Sequence, residues 1–385
     1  MTAVAALDTG LDWSADRIIG DAGRLLGDHR PADALRLLTD APASTHDLPL
    51  LHHLTGRAQA GLNNPLAALT AFRKAAERGG ASADLFNDMG NSLAWLGKLG
   101  PAADAYRLAI RLQPNAAPLY LNLGNALSAA GDLAGAARAF AECATQCPSD
   151  PVARHMLAAL TGGPPPDRAA DGYVAANFDN FAASFDATLV GKLGYEGPAL
   201  IRAAMDRQLG RPEGQLYVLD AGCGTGLCAP LLRPFAAQLD GVDLSAEMLV
   251  HAQARQAYDR LDRVELGAHL AAHPAHWDAI VAADVFSYFG NLAEPFRAAK
   301  LALRPGGALF ATVESDEQAA AGFVLRPSGR YAHTEAFVAA CARDAGLYLV
   351  HYEIRTLRHE RGLPVPAMVF ILAAEAPGHA EEHHQ

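Results

Sequence analysis

Four columns of residues recur at a spacing of 34 in the first part of this 385-residue chain. Gly56, Gly90 and Gly124 form one, and Ala68, Ala102 and Ala136 a second. Phe72, Tyr106 and Phe140 form a third, and Ala75, Ala109 and Cys143 a fourth. Pro114 and Pro148 close two of the units, with Gly80 at the matching place in the first. A fixed period of this length means one supersecondary unit stacked on copies of itself, because a single unit cannot bury its apolar face alone. Alanine supplies much of the 51% hydrophobic content, which favours close-packed helices.

The period and residue types resemble the tetratricopeptide repeat (TPR). The resemblance implies helical hairpins in which small residues let two helices approach and the aromatic fills the gap between neighbours. Ala34 and Leu38 extend the register backwards, with Ala22 in place of the glycine. The expectation is about four units over residues 15–150. Pro151 to Leu160 would begin a capping hairpin, since terminal repeats depart from the consensus. Asn87, Asn91, Asn122 and Asn125 fall on inner-helix positions, where they could hydrogen-bond an extended peptide. A dimerisation or scaffolding arm is the other reading, and fold alone does not choose between them.

TGGPPPDRAADG, Thr161 to Gly172, breaks the pattern, because its prolines cannot continue a helix. It divides a helical repeat domain at 1–160 from a second domain at 173–376, with 161–172 as linker and 377–385 as a disordered tail. Beyond it, apolar runs of strand length (Tyr217 to Asp220, Leu239 to Asp243, Arg263 to Leu266, Trp277 to Ala282, Ala308 to Val313) alternate with helical segments such as Ser245 to Tyr258 and Leu292 to Leu303. Such alternation predicts a parallel sheet with helices on both faces. Ligands bind at the carboxyl ends of its strands. That rule lines up Gly222, Asp243, the Glu265–Leu266 region and Asp284 along one rim.

VLDAGCGTG, Val218 to Gly226, is the chemical signature of this part. A strand ends in Asp220, and glycine then holds every second place of a turn, where backbone can approach a ligand closely. Asp243 follows Asp220 by 23 residues, at the end of a second apolar run, and a carboxylate there suits two neighbouring ribose hydroxyls. The dinucleotide fingerprint needs a third glycine where this chain has Leu227, which disfavours a nicotinamide-dependent oxidoreductase. An acid two residues before the first glycine is instead similar to the first motif of S-adenosylmethionine (SAM) dependent methyltransferases.

Residues 173–375 resemble a class I SAM-dependent methyltransferase, and the whole chain resembles the bacterial group of such proteins with N-terminal TPR units. FDNFAASFDATLVGKLGY, AADVFSYFGNL, GRYAHTEAF and RHERGLPVPAMVFIL carry the closer likeness. The implied fold is an all-α TPR solenoid followed by a Rossmann-like α/β domain with a seven-stranded, mainly parallel sheet. Its last strand would run antiparallel, with Leu347 to Arg355 and Met368 to Ala373 as a terminal hairpin.

The resemblance also implies roles. Asp220 would hold the turn or the methionine amino group, while Gly222 and Gly224 pass under the methionyl part of SAM. Asp243 would accept from the ribose, Leu244 and Met248 would flank the adenine, and Glu265, beside Leu266, would meet the adenine amine. Phe178 belongs to a helix closing over the cofactor. Asp284, Phe286 and Tyr288 follow the fourth strand, where this class builds its active site. His333 is the candidate base, because histidine titrates near neutral pH. It stands with Tyr331 near Arg330, which would hold a carboxylate by a bidentate pair. Plain packing or capping is the alternative for Met248, Phe286, Asp284 and His333. The expected reaction is methyl transfer to a peptide, a carrier-bound group or a small metabolite. A SAM-binding TPR scaffold without turnover, or a SAM enzyme that transfers no methyl, stays open beside it. No N-P-P-Y-like stretch follows the fourth strand, which reads ADVFSYFG. This disfavours amide and adenine-amine acceptors.

A net charge of −11 argues against nucleic acid or anionic membrane as partners. Five scattered cysteines make no disulfide framework and no metal site, and a reducing cytoplasm is expected. The first residues lack a signal-peptide pattern, and the His- and Glu-rich end could be mistaken for a metal site. Pairing of two copies through the repeats is a further expectation.

Overall fold

The protein is seen here in a computed structural model that describes residues 14–162, 165–360 and 362–376. The signal-peptide reading of the first residues and the tail after Ala376 lie outside the described residues, as do two positions of the linker. The chain divides into two compact units, Met1–Arg154 and His155–Gln385.

The first unit is helical. Its helices are α1 (Ala15–Gly27), α2 (Pro31–Thr39), α3 (Pro49–Gly61), α4 (Pro65–Glu77), α5 (Ala83–Trp95), α6 (Leu99–Leu112), α7 (Ala117–Ala130) and α8 (Leu133–Gln146), followed by the start of α9 (Pro151–Thr161). Consecutive helices pack as hairpins α1/α2, α3/α4, α5/α6 and α7/α8. Proline opens α2, α3 and α4 at the first turn, where a missing N–H is not needed. The repeat columns meet directly across each hairpin. A Cβ on Gly56, Gly90 or Gly124 would collide with the ring of Phe72, Tyr106 or Phe140, respectively. All three rings are buried. The asparagines are already engaged in part: Asn122 donates to Asn87 at 2.8 Å, and Asn91 accepts from the Tyr106 hydroxyl at 2.8 Å.

Among its described residues, the second unit is built on one nine-stranded sheet. Its central strands are β1 (Leu216–Ala221), β2 (Ala236–Asp243), β3 (Arg260–Arg263), β4 (Trp277–Ala282) and β5 (Leu303–Ser315), all parallel, in the order β3-β2-β1-β4-β5. Two more strands than the seven expected come from β6 (Phe323–Leu325) and β7 (Tyr331–His333). Here β7 runs parallel to the end of β5, and β6 pairs antiparallel with β7. A long hairpin of β8 (Tyr348–Glu360) and β9 (Leu363–Ala373) adds the antiparallel edge, through β9 on β5. The third strand lies earlier than expected, because Glu265 caps the next helix instead of extending the strand: its carboxylate accepts the Ala268 N–H at 2.7 Å.

Alternation along the strands divides the core between the two faces. Leu219, Ile280, Leu309 and Phe370 pack on one side, and Val218, Val281, Phe310 and Ile371 on the other. The helices Ala293–Ala302 and Glu335–Asp344 cover the first face, and the helix Gly197–Leu209 the second. The order reverses between β1 and β4. A cleft at the carboxyl ends of parallel strands is therefore expected beside that pair.

Candidate active site

A cleft with a cavity of about 120 Å³ opens there, lined by the glycine turn, the ends of β2 and β4 and a helical lid. Gly222, Gly224 and Gly226 have φ of 67°, 55° and 81°, a left-handed backbone that glycine adopts without strain. A Cβ on Gly222 would also strike Val285 at 2.6 Å. The turn is fastened to β2 by Asp243, whose Oδ2 accepts the Gly224 N–H at 2.9 Å, and by the Cys223 N–H, which donates to the Val242 carbonyl at 2.9 Å; Asp243 Oδ1 accepts the Ser245 N–H at 2.8 Å. Burial raises the Asp243 carboxyl, against the pull of these backbone donors. Each carboxylate oxygen keeps a further lone pair.

Asp220 does not line the cleft. It is buried and accepts a 2.6 Å hydrogen bond from the Tyr258 hydroxyl, so it holds the turn from behind. Met248 is also fully buried and absent from the wall, whereas Leu244 and Leu266 line it. Glu265 lines it too, bound to Arg168 at 2.8 Å. Burial pushes the Glu265 carboxyl up, but the Ala268 and Gly267 N–H groups and Arg168 hold it below its usual range.

The lid comprises α10 (Asp171–Phe181) and α11 (Phe185–Leu189). Phe178 and Phe185 face the cleft, and Phe178 meets Tyr288 edge-on at 5.4 Å. Two acids latch the lid, one to Ser245 just after β2 and one to the glycine turn. Asp179 accepts from Ser245 Oγ at 2.5 Å, and Asp186 accepts from Thr225 Oγ1 at 2.5 Å and pairs with Arg255.

Asp284, Tyr288, Tyr195 and Arg330 also line the cleft. Asp284 has φ of 60°, unusual for a residue with a Cβ, and its N–H donates to Thr312 Oγ1 at 2.8 Å. Its Oδ2 accepts from Arg358 at 3.2 Å, while its buried Oδ1 has no partner. Arg358 is fully buried, bonded also to Glu314 and, at 2.8 Å, to Glu360. Arg330 donates to Glu360 at 2.9 Å and lies 3.9 Å from Glu314. One arm of its fork, Nη1, is thus held by Glu360, where the sequence reading gave Arg330 to an incoming carboxylate.

Three further sequence assignments change. His333 is completely buried in β7, 3.1 Å from the Gly290 carbonyl and stacked against Phe337, and it does not reach the cleft. Burial pushes its pKa down to about 4, against the pull of the Gly290 and Phe289 carbonyls, so it is no base for this cleft. Tyr331 is buried beside it and donates to the Pro166 carbonyl at 2.8 Å. Phe286 packs in the core against Phe296 at 5.5 Å. For Tyr331 and His333 the cause is strand formation by Tyr331–His333 beside β5, which turns both side chains into the interior. Tyr195, Tyr258, Glu314, Arg358 and Glu360 carry roles that sequence reasoning missed. The signal was present: ionisable residues at the end of the apolar run ALFATVES and in RHER.

Residues 219–309 match the model of the methyltransferase domain family, and residues 117–160 that of the tetratricopeptide repeat. The chain carries a methyltransferase domain and a tetratricopeptide repeat. The mitochondrial ubiquinone biosynthesis O-methyltransferase of Rattus norvegicus is 30% identical over 126 residues, 31% of this chain and 36% of that protein. Methyltransferase-like protein 27 of Homo sapiens is 38% identical over 106 residues, 27% of this chain and 43% of that protein. The chain thus spans well under half the length of these curated relatives. Among solved structures, a Burkholderia thailandensis 1,6-didemethyltoxoflavin-N1-methyltransferase with bound S-adenosylhomocysteine is 21% identical. It covers 52% of this chain and 88% of its own, with a TM-score of 0.41. The methyltransferase class expected from the sequence thus agrees with the family model over residues 219–309. Among the described residues no helix is long and apolar enough to cross a membrane, and no group of side chains could hold a metal.

Proposed function

We propose that the second unit binds SAM in this cleft and transfers its methyl group to an acceptor placed against Asp284. The observation that carries the reading is the bond of Asp243 at the end of β2 to Gly224 of the positive-φ glycine turn, beneath a lid of apolar rings. Backbone at Gly222 and Gly224 leaves room for the methionyl part. The remaining lone pairs of Asp243 suit the ribose hydroxyls, and Leu244, Val264 and Leu266 suit the adenine. When bound, SAM supplies an activated methyl group whose transfer leaves a neutral thioether, so a weakly polar wall is tolerable.

The rest is done by this chain's own residues. Phe178, Phe185 and Leu189 keep water from the reacting centre, and Tyr195 and Tyr288 orient the acceptor. Asp284, with one oxygen free, takes the proton of an acceptor that must lose one. The helical unit serves recognition of the acceptor or its carrier, or pairing of two copies. Titration of S-adenosylhomocysteine into the full chain, followed by calorimetry, tests the cofactor assignment. Binding is expected in the wild type and at least tenfold weaker binding in Asp243→Ala, about 1.4 kcal/mol. A wild-type protein that binds no S-adenosylhomocysteine sinks the reading.

A further inference from the structure

The polar end of the cleft has a charge balance that selects its ligand. Tyr195, Asp284, Tyr288 and Arg330 line this end together. Behind them, the guanidinium groups of Arg330 and Arg358 face three carboxylates, those of Asp284, Glu314 and Glu360. Arg326 and Asp316 extend the network by one charge of each sign. The excess is therefore negative, even though an arginine stands in the wall. Burial works against the ionised Glu360, but Arg358 and Arg330 outweigh it and hold its carboxyl below the usual range. Arg358 is thus committed to protein partners through all three of its nitrogens, and Glu360 holds Nη1 of Arg330, which leaves no intact fork facing an anion from that side.

Within this network one buried acceptor atom, Asp284 Oδ1, lacks a donor. Buried polar atoms are nearly always satisfied, and an orphan at a strained residue in a cleft wall marks a place where a ligand completes the bonding. The surrounding wall is aromatic: Phe178 stands edge-on to Tyr288 and, at 6.0 Å, to Phe185. Such surfaces suit a flat apolar body.

We propose that the methyl acceptor is an uncharged N–H or O–H group on a small flat apolar body, donating a hydrogen bond to Asp284 Oδ1, and that carboxylates and phosphates are rejected. The inference rests on the methyl-transfer reading of the cleft. Glu360 acts through Arg330 as a selectivity-setting residue, because it keeps that guanidinium from an incoming anion.

The test is binding of phenol and of benzoate to the full-length protein, followed by ligand-observed NMR with and without S-adenosylhomocysteine. In the wild type, phenol is expected to bind at least tenfold more tightly than benzoate. Asp284→Ala should lose at least tenfold in phenol affinity while retaining S-adenosylhomocysteine. Glu360→Gln should gain benzoate affinity by at least fivefold, because Arg330 is released. Equal binding of the two probes, no phenol binding, or phenol binding indifferent to Asp284→Ala overturns the proposal. Should Asp284→Ala not fold, Glu360→Gln decides: unchanged benzoate affinity overturns it. Failure of the wild type to bind S-adenosylhomocysteine would strike the cofactor assignment instead, since the probe ratio is also read without it.

Discussion

The hydroxyl of Tyr258 donates a 2.6 Å hydrogen bond to Asp220, and its ring lies against Gly226 and Gly241. Burial, the largest influence, raises the Asp220 carboxyl to about 7, helped by the charge of Asp243 and opposed by the Tyr258 hydrogen bond. In the unfolded chain this carboxyl ionises near 3.8. The folded value is the higher one, so this group's contribution to stability falls as pH rises from about 4 to 7 and is level above that. Tyr258→Phe removes the donor that favours the charged form. The expected loss is about 1.5–3 kcal/mol at pH 8 and less at pH 5, read by urea denaturation. Equal losses at both pH values would contradict a charge-assisted bond.

His333 gives the opposite pH signature. Its folded pKa, about 4, lies below the ordinary 6.5 because burial disfavours the charged ring. Its contribution is therefore complete above pH 6.5 and is lost as pH falls towards 4, by about 3 kcal/mol. His333→Leu should abolish this acid-side loss. The variant should leave the pH profile of turnover in place, whereas a catalytic base would take the profile with it.

Glu314 sits between Arg358, Arg326 and Arg330 with almost no exposure. Glu314→Ala leaves buried guanidinium charge without its partner. Such losses run to about 3–5 kcal/mol, measurable as a shift in the denaturation midpoint. A loss below ~1 kcal/mol would show that solvent reaches the cluster.

The repeat glycines predict a local effect. A Cβ on Gly124 would stand 2.7 Å from the Phe140 ring, while one on Gly100 would meet nothing within 4 Å. Gly124→Ala should cost about 1–3 kcal/mol through overpacking. Gly100→Ala, within α6, should stabilise by up to ~1 kcal/mol through helix propensity. Circular dichroism melts of the two variants check the pair, and a stabilised Gly124→Ala would contradict the packing.

The two halves were legible to different depths. The columns of Gly56, Ala68, Phe72 and Ala75 announce their hairpins because the contacts they make lie within one unit of sequence. The turn at Gly222–Gly226 and its tie to Asp243 are legible for a similar reason: a backbone that needs positive φ leaves glycines behind it. Short elements were harder. Glu265 reads equally well as the end of a strand or as a helix cap, and only its bond to Ala268 distinguishes them.

The sequence by itself determined the stacked helical hairpins, the parallel α/β unit and the placement of Gly222, Gly224 and Asp243 at its rim. Periodicity, turn chemistry and a strand-end acid are local properties, carried by neighbouring residues. Tertiary structure alone decided which polar side chains face the cleft. Tyr331–His333 pairs with the end of β5, and that pairing buries His333 and Tyr331. The β8–β9 hairpin brings Arg358 against Asp284 and Glu314, which lie in distant parts of the chain. It leaves Asp284 Oδ1 buried without a donor, since Arg358 reaches Oδ2 and Arg330 turns Nη1 to Glu360.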